Sequence, residues 1–474
     1  MTLSTLESLA LNGSTWTAKS LHLELAKFSR SPSLRTVQRN LLDTMGDSIV
    51  SSAGSVTNAS GNRLNPLIVP ALTSWLAAKK RPLEILQIVT VLGATVVVMV
   101  NSKGRMIWRA VNDSDIRVAI SEIVLAHGTP MAVLPHGAIR QELAQVSLPN
   151  SVTDLSSLLP PDSFVPRHRP SATSPKSSNY LDDLEQESIN IIREAVAVAS
   201  KPGMLFSMGK DSMVNLTLAR KAFAPHPIPF PLLLIDTQWM FQDMYRFLEG
   251  LETDNDISVI SYVNPEAIER NINPFDFGSA IHTDITLTQA VRKALSNEKF
   301  DFIFGGARRD EEKSRAKERI FSVRNSNHGW DPKQQRPELW NLYNTTLVGG
   351  QTMRVFPLSN WTEIDIWRYL ERENVDLIPL YYSALRPYVR RNEALIMVDD
   401  ERFPLEEDEE VLFDYIRFRT LGCYPLTGAV VSHASSISEI ISELEGSKIS
   451  ERSSRVIDFD QGASMEQKKK DGYF

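Results

Sequence analysis

MLFSMGKDSMVNLTLARKAF, Met204 to Phe223, decides how the chain is read. A short apolar run breaks into Ser-Met-Gly-Lys-Asp-Ser and then resumes with helical spacing. Strand, polar loop, helix is the layout of an anion site, because the first N–H groups of a helix lack intrahelical partners and sit at its positive end. The common nucleotide loop needs a glycine, four residues, then Gly-Lys-Ser/Thr. Here Gly203 and Gly209 are separated by five residues and Asp211 follows Lys210, so spacing and hydroxyl both fail. What remains is Gly209 for close approach, the hydroxyls of Ser207 and Ser212, and the cation of Lys210. A plain strand-to-helix turn, with Asp211 or Ser212 as N-cap, accounts for the same residues equally well at this point.

Around this loop the pattern alternates. GMLFSM, PLLLID, SVISYV and FDFIFGGA read as buried parallel strands, separated by helical periods such as EQESINIIREAVAVASK and ITLTQAVRKALSN. Continuous apolar strands between amphipathic helices predict an α/β fold, an open and mostly parallel sheet with helices on both faces. Ligands of such sheets bind beyond the carboxyl ends of the strands. Three loops fall there: Ser207 to Ser212, Asp236 to Trp239, and Gly305 to Arg309.

The bulk numbers bound the rest. A chain of 474 residues, 42% apolar and 23% charged, suits two or three soluble domains. A single cysteine, Cys423, excludes an internal disulfide and fits the cytoplasm, and no signal peptide opens the chain. The apolar run ILQIVTVLGATVVVMV, Ile85 to Val100, is short for a membrane span and carries Gly93 at its middle. It reads as two buried strands around a turn, so no membrane partner is expected. No Cys/His cluster at metal spacing occurs, so no protein metal site is expected.

The net charge of −7 hides an asymmetry. Up to Ser178 there are 17 Lys/Arg against 11 Asp/Glu, and the remainder holds 34 against 47. Proline and serine dominate residues 158–180, which read as a solvated linker between a basic α+β domain at 1–157 and a second domain at 181–474. In the basic part, Ser20 to Asp47 reads as two helices. Leu21, Leu25 and Phe28 share one face of the first, and Val37, Leu41 and Leu42 form the apolar face of the second. A Gly-rich hairpin follows, so residues 20–65 suggest a winged helix-turn-helix with Arg35 and Arg39 toward nucleic acid. Docking of a protein partner is the competing use.

From about Leu181 to Phe474 the chain resembles the small, catalytic subunit of bacterial ATP sulfurylase. The resemblance rests on GKDS, ARKAF, HTDI, FGGARRDEEKSRAKERI, QRPELWN and RFRTLGC-PLTGAV, in order. It brings the S-G-G-x-D-S signature of the pyrophosphate-loop ATPases, matched here by Ser207, Gly209, Asp211 and Ser212, with Met208 in place of the first glycine. The resemblance implies that ATP and sulfate are joined into adenosine 5′-phosphosulfate and pyrophosphate, with Mg2+ accompanying the nucleotide and a GTPase large subunit as partner. It implies nucleotide contacts from Ser207, Gly209, Lys210, Asp211, Ser212, Asp236, Gly305 and Gly306. Lys210, Arg308 and Arg309 are the implied catalytic cations, and Asp211 is expected to cap the helix or orient Lys210. Sulfonucleotide reductases share the fold but use a cysteine near the C-terminus, whereas Cys423 lies in RTLGCYPLTG and reads as structural.

Several positions depart from the family. Gln238 replaces a glycine, Met240 and Ile281 each replace a lysine, and Thr217 stands where a histidine is usual. The basic N-terminal half is foreign to the family. These departures keep two other readings open: an adenylating enzyme with a different acceptor, and a nucleotide-sensing, DNA-binding regulator.

Overall fold

The structure is a computed structural model. It describes residues 11–27, 33, 34, 36, 37, 49–111, 115–162, 179–311, 315–326, 328–391 and 394–446. Three β-structures organise them.

The first is a six-stranded sheet built from β1 (Thr15–Thr17), β2 (Leu83–Val91), β3 (Ala94–Val100), β4 (Met106–Val111), β5 (Met131–Pro135) and β6 (Val152–Asp154). Their order is β1-β4-β3-β2-β5-β6. The apolar run at Ile85 to Val100 forms the antiparallel pair β2 and β3, turning at Leu92 and Gly93, which both have positive φ. One face of this sheet packs Leu86, Val97, Met99 and Ile107 under helices α3 (Ile116–His127) and α4 (Ile139–Leu143). Helices α1 (Ala18–Leu25) and α2 (Val69–Ala78) add Leu21, Leu25, Leu72 and Leu76 to the cluster on the opposite face.

Leu21 and Leu25 are buried, in keeping with the apolar face read for the first helix. Phe28, Arg35, Arg39, Leu41 and Leu42, which carried much of the helix-turn-helix reading, lie outside the described residues. The stretch read as a hairpin forms a 3-10 turn at Ala53–Ser55 and two isolated bridges, Thr57 to Arg63 within it and Asn58 to Gly137.

The second sheet uses β7 (Pro202–Leu205), β8 (Leu232–Ile235), β9 (Val259–Tyr262), β10 (Phe302–Phe304), β11 (Phe321–Arg324) and β12 (Thr352–Val355), in the order β11-β12-β10-β7-β8-β9. All neighbours are parallel except β11 with β12. Alternate residues of β8 show why helices cover both faces. Leu232 and Leu234 join the cluster containing α5 (Asn179–Val198), α6 (Lys210–Phe223) and α7 (Gln242–Leu251). Leu233 and Ile235 face α10 (Ala290–Glu298) through Val291 and Leu295. The short helices α8 (Pro265–Glu269) and α9 (Gly278–Thr283) and a π-helical turn, Asp284–Gln289, precede α10.

The third element is a closed four-stranded barrel of β13 (Ala384–Arg391), β14 (Ala394–Met397), β15 (Leu412–Arg417) and β16 (Gly428–Val431). It is framed by α11 (Glu363–Arg372) and α12 (Ile437–Gly446). Continuous strands without helices between them were not expected from the sequence here.

The two sheets do not share hydrogen bonds, yet one continuous cluster of buried apolar side chains runs through both surroundings and the barrel. Trp75 of α2 meets Phe413 of β15 with ring centroids 5.7 Å apart, and Ser157 Oγ donates to the Leu385 carbonyl at 2.7 Å. Leu158 and Leu159, which open the proline- and serine-rich stretch, are buried.

Candidate active site

The loop between β7 and α6 sits at the carboxyl end of the parallel sheet, beside the loops that follow β8 and β10. Gly209 is the N-cap of α6 and no side chain caps it, so neither Asp211 nor Ser212 takes that place. The first-turn N–H groups are thereby left for a ligand, apart from that of Lys210, which donates to Tyr381 Oη at 2.8 Å. The hydroxyls of Ser207 and Ser212 lie 3.0 Å apart across the loop. A Cβ at Gly209 would come within 3.2 Å of Ser207 Oγ, so glycine there keeps the backbone open.

Lys210 is only 1% exposed, and its Nζ reaches the Arg419 carbonyl at 3.4 Å and Asp211 Oδ2 at 3.3 Å. Arg308, also 1% exposed, donates Nε to Asp211 Oδ1 at 2.6 Å and lies 3.4 Å from Asp310. Burial would push the Asp211 carboxyl up, but the charges of Lys210 and Arg308 outweigh it and hold the group below its usual range. Asp211 therefore orients Lys210 and fixes Arg308. Gly306 makes this possible: a Cβ there would lie 3.2 Å from Asp211 Cβ and 3.7 Å from the Ser212 nitrogen. Gly305, one residue past β10, donates its N–H to the Val355 carbonyl at 2.9 Å.

Arg309 turns another way. Its Nη1 donates to Asn360 Oδ1 at 2.6 Å and its Nη2 lies 3.8 Å from Glu338, in a polar recess shared with Arg319 and Tyr343. The structure thus brings Ser207, Gly209, Lys210, Asp211, Ser212, Gly306 and Arg308 together and sets Arg309 apart from Asp211. Asp236, at the end of β8, accepts from the Gln238 N–H at 2.7 Å and from Tyr245 Oη at 2.9 Å. Arg402 covers this strand end, its guanidinium 4.3 Å from the Trp239 ring centroid and its Nη1 bonded to the Gln238 carbonyl. Cys423 donates to Thr237 Oγ1 at 3.2 Å, and burial pushes its thiol up to about 11. A thiol held protonated in this way is a poor nucleophile.

The matching family is the phosphoadenosine phosphosulfate reductase domain, over residues 201–429. A sulfate adenylyltransferase subunit 2 from Geobacter metallireducens is 57% identical over 295 residues, which is 62% of this chain and 98% of that protein. The chain belongs to the sulfate adenylyltransferase subunit 2 family. The Caulobacter vibrioides protein of the same name is 56% identical over 64% of this chain and 98% of its own length. Among solved structures, a phosphoadenylyl-sulfate reductase from Candida auris aligns at 14% identity, covering 45% of this chain and 96% of its own. Its TM-score is 0.31.

Two departures share one geometry, Met208 from the pyrophosphate-loop signature and Gln238 from the subunit 2 pattern. Met208 has φ 58° and Gln238 has φ 64°, the left-handed region that favours the glycine expected at each. Thr217 returns its hydroxyl to the Met213 carbonyl within α6, and Ile281 is exposed. Residues of the barrel and its flanks were not anticipated from the sequence: Tyr381 and Arg419 hold Lys210, and Arg402 covers the β8 end. Their only sequence signal was the length of the matching run, because they meet the loop across more than 160 intervening residues.

Proposed function

We propose that this chain is the catalytic subunit of a sulfate adenylyltransferase, joining ATP and sulfate into adenosine 5′-phosphosulfate and pyrophosphate. The observation that carries this reading is identity of 57% across 98% of a relative so named; in this chain the loop is supported by the Asp211–Arg308 pair. A sulfate oxygen attacks the α-phosphorus, the bond to the β-phosphate bridging oxygen breaks, and pyrophosphate leaves with that electron pair. The α6 N-terminus, Ser207 and Ser212 would hold the β- and γ-phosphates, with Lys210 as the nearest cation. Asp236 and the Gly305–Gly306 backbone would frame the nucleoside side. Arg308 would stabilise charge on the transferring group, and Arg309 the approaching sulfate.

Among the described residues no group of three or more His, Cys, Asp or Glu could hold a metal ion. Magnesium would therefore be carried by the ATP phosphates and water, where it shields their charge, and would need no protein cage. The family name implies a partner subunit, and we infer a GTPase in that place, because the mixed anhydride lies uphill of ATP and needs a coupled reaction. No helix among the described residues is long and apolar enough to cross a membrane, and we place the protein in the cytosol, where Cys423 stays reduced. We also infer that residues 1–157 and 181–474 are distinct domains joined by 158–180.

The test is sulfate-dependent pyrophosphate release by the purified chain, with and without the GTPase subunit. Release that requires sulfate, and that falls about 10²–10³-fold in Lys210→Ala, is the expected result. Absence of release under both conditions, with ATP still bound, would overturn the assignment.

A further inference from the structure

A cavity of about 440 Å³ lies where the N-terminal half meets the catalytic half. Ile68, Leu158 and Met397 give it an apolar lining, and Arg140, Asp243 and Asp399 are among its charged groups. Arg140 belongs to α4 of the N-terminal half, whereas Asp243 belongs to α7 and Asp399 follows β14.

The other charges around the cavity are already engaged. Arg386 gives its guanidinium to the carbonyls of Tyr382, Ile416 and Pro379. Arg246 pairs with Glu249 at 2.8 Å, and Asp162 accepts from the Ala59 N–H. That leaves an unfinished set. No hydrogen bond from a described residue reaches the Asp243 carboxylate, and Asp399 receives one, from the Gln242 N–H at 2.8 Å. Arg140 spends only Nη1, on the Pro160 carbonyl at 2.7 Å, with Asp162 3.7 Å away.

We propose that this cavity binds a compact zwitterion of the α-amino acid class, its ammonium on Asp243 and Asp399 and its carboxylate on Arg140. Volume, apolar lining and opposite charges contributed by the two facing halves fit such a ligand and disfavour a singly charged one. The titration of the two acids agrees. Burial pushes Asp243 up against the pull of Arg386 and Arg140, and pushes Asp399 up to about 8, with Asp243 and Asp400 adding to the rise. An ammonium between them would restore both charged forms.

The site is wired to the nucleotide side. Gln242, the first residue of α7, binds Asp399 through its N–H and Asp400 through Nε2 at 3.3 Å. Asp400 holds Arg402 at 2.7 Å, and Arg402 holds the Gln238 carbonyl. These contacts place the cavity's Asp399 and the strand end carrying Asp236 in one hydrogen-bonded series.

The full-length protein is titrated calorimetrically with each of the twenty amino acids, and with acetate and n-butylamine as single-charge probes. At least one amino acid is expected to bind below about 1 mM, with both single-charge probes at least about tenfold weaker. Asp243→Asn, checked for native folding, weakens that amino acid about tenfold or more and leaves ligand-free turnover unchanged. Arg140→Gln is the second variant, with the same expected loss. No heat from any amino acid at about 10 mM, or wild-type affinity in both variants, overturns the proposal. Binding is read without turnover, so its failure is separate from failure of the sulfate adenylyltransferase reading.

Discussion

Asp211 and Arg308, 97 positions apart in sequence, meet at 2.6 Å, and the same carboxylate lies 3.3 Å from Lys210 Nζ. One acid thereby positions two buried cations at the mouth of the loop. Asp211→Asn keeps the shape and removes the charge, leaving Lys210 and Arg308 to repel each other. Loss of one partner in a buried pair costs about 3 kcal/mol. Urea unfolding is expected to show that loss, together with a large fall in pyrophosphate release. A stability equal to wild type would mean that the pair is screened by solvent.

Gln238 holds φ 64° without being glycine. The left-handed conformation costs a non-glycine residue about 1 kcal/mol, and glycine's extra unfolded-state freedom costs about the same. Gln238→Gly should therefore change stability by less than about 0.5 kcal/mol, whereas Gln238→Val, β-branched at positive φ, should lose at least about 1 kcal/mol more. Thermal unfolding of the two variants side by side decides it.

Two glycines separate function from packing. A Cβ at Gly306 would press on Asp211, 3.2 Å away, and one at Gly203 would press on the Phe300 ring at 2.8 Å. Gly203→Ala is expected to destabilise by about 1–3 kcal/mol through overpacking while the residual folded protein keeps its kcat. Gly306→Ala is expected to lower kcat at a smaller stability cost. Equal effects on kcat would contradict the placement of Asp211.

His282 is fully buried, with no hydrogen-bond partner among the described residues at either ring nitrogen, and burial lowers its pKa from 6.5 to about 4. In this window the unfolded chain binds the proton and the folded chain does not. Stability is thus complete above about pH 6.5 and declines as pH falls toward 4, by up to about 3 kcal/mol. His282→Leu should flatten that part of the stability–pH curve. An unchanged slope in the variant would assign the effect to another group, His328 being the other histidine lowered to about 4.

The catalytic half was legible in its local signals. Four apolar runs alternating with helical periods became β7, β8, β9 and β10 with parallel register, since strand and helix periods are properties of adjacent residues. Ser207, Gly209, Lys210 and Ser212 were legible for the same reason. Tyr381, Arg402 and Arg419 were not, because nothing local in a tyrosine or an arginine records a partner more than 160 residues away. The Asp211 N-cap failed because an extended glycine, Gly209, already ended the helix without a side-chain acceptor. In the N-terminal half, short helices and a Gly-rich stretch carried a winged-helix reading. The dominant element there is a mixed sheet whose parallel pair β2–β5 joins strands separated by a helix and a hairpin.

Lys210 is held by the Tyr381 hydroxyl and the Arg419 carbonyl, both from the last fifth of the polypeptide. A chain made from its N-terminus presents the phosphate loop to the cell long before those two groups exist. The support that fixes Lys210 is therefore complete only once that last part of the polypeptide has been made.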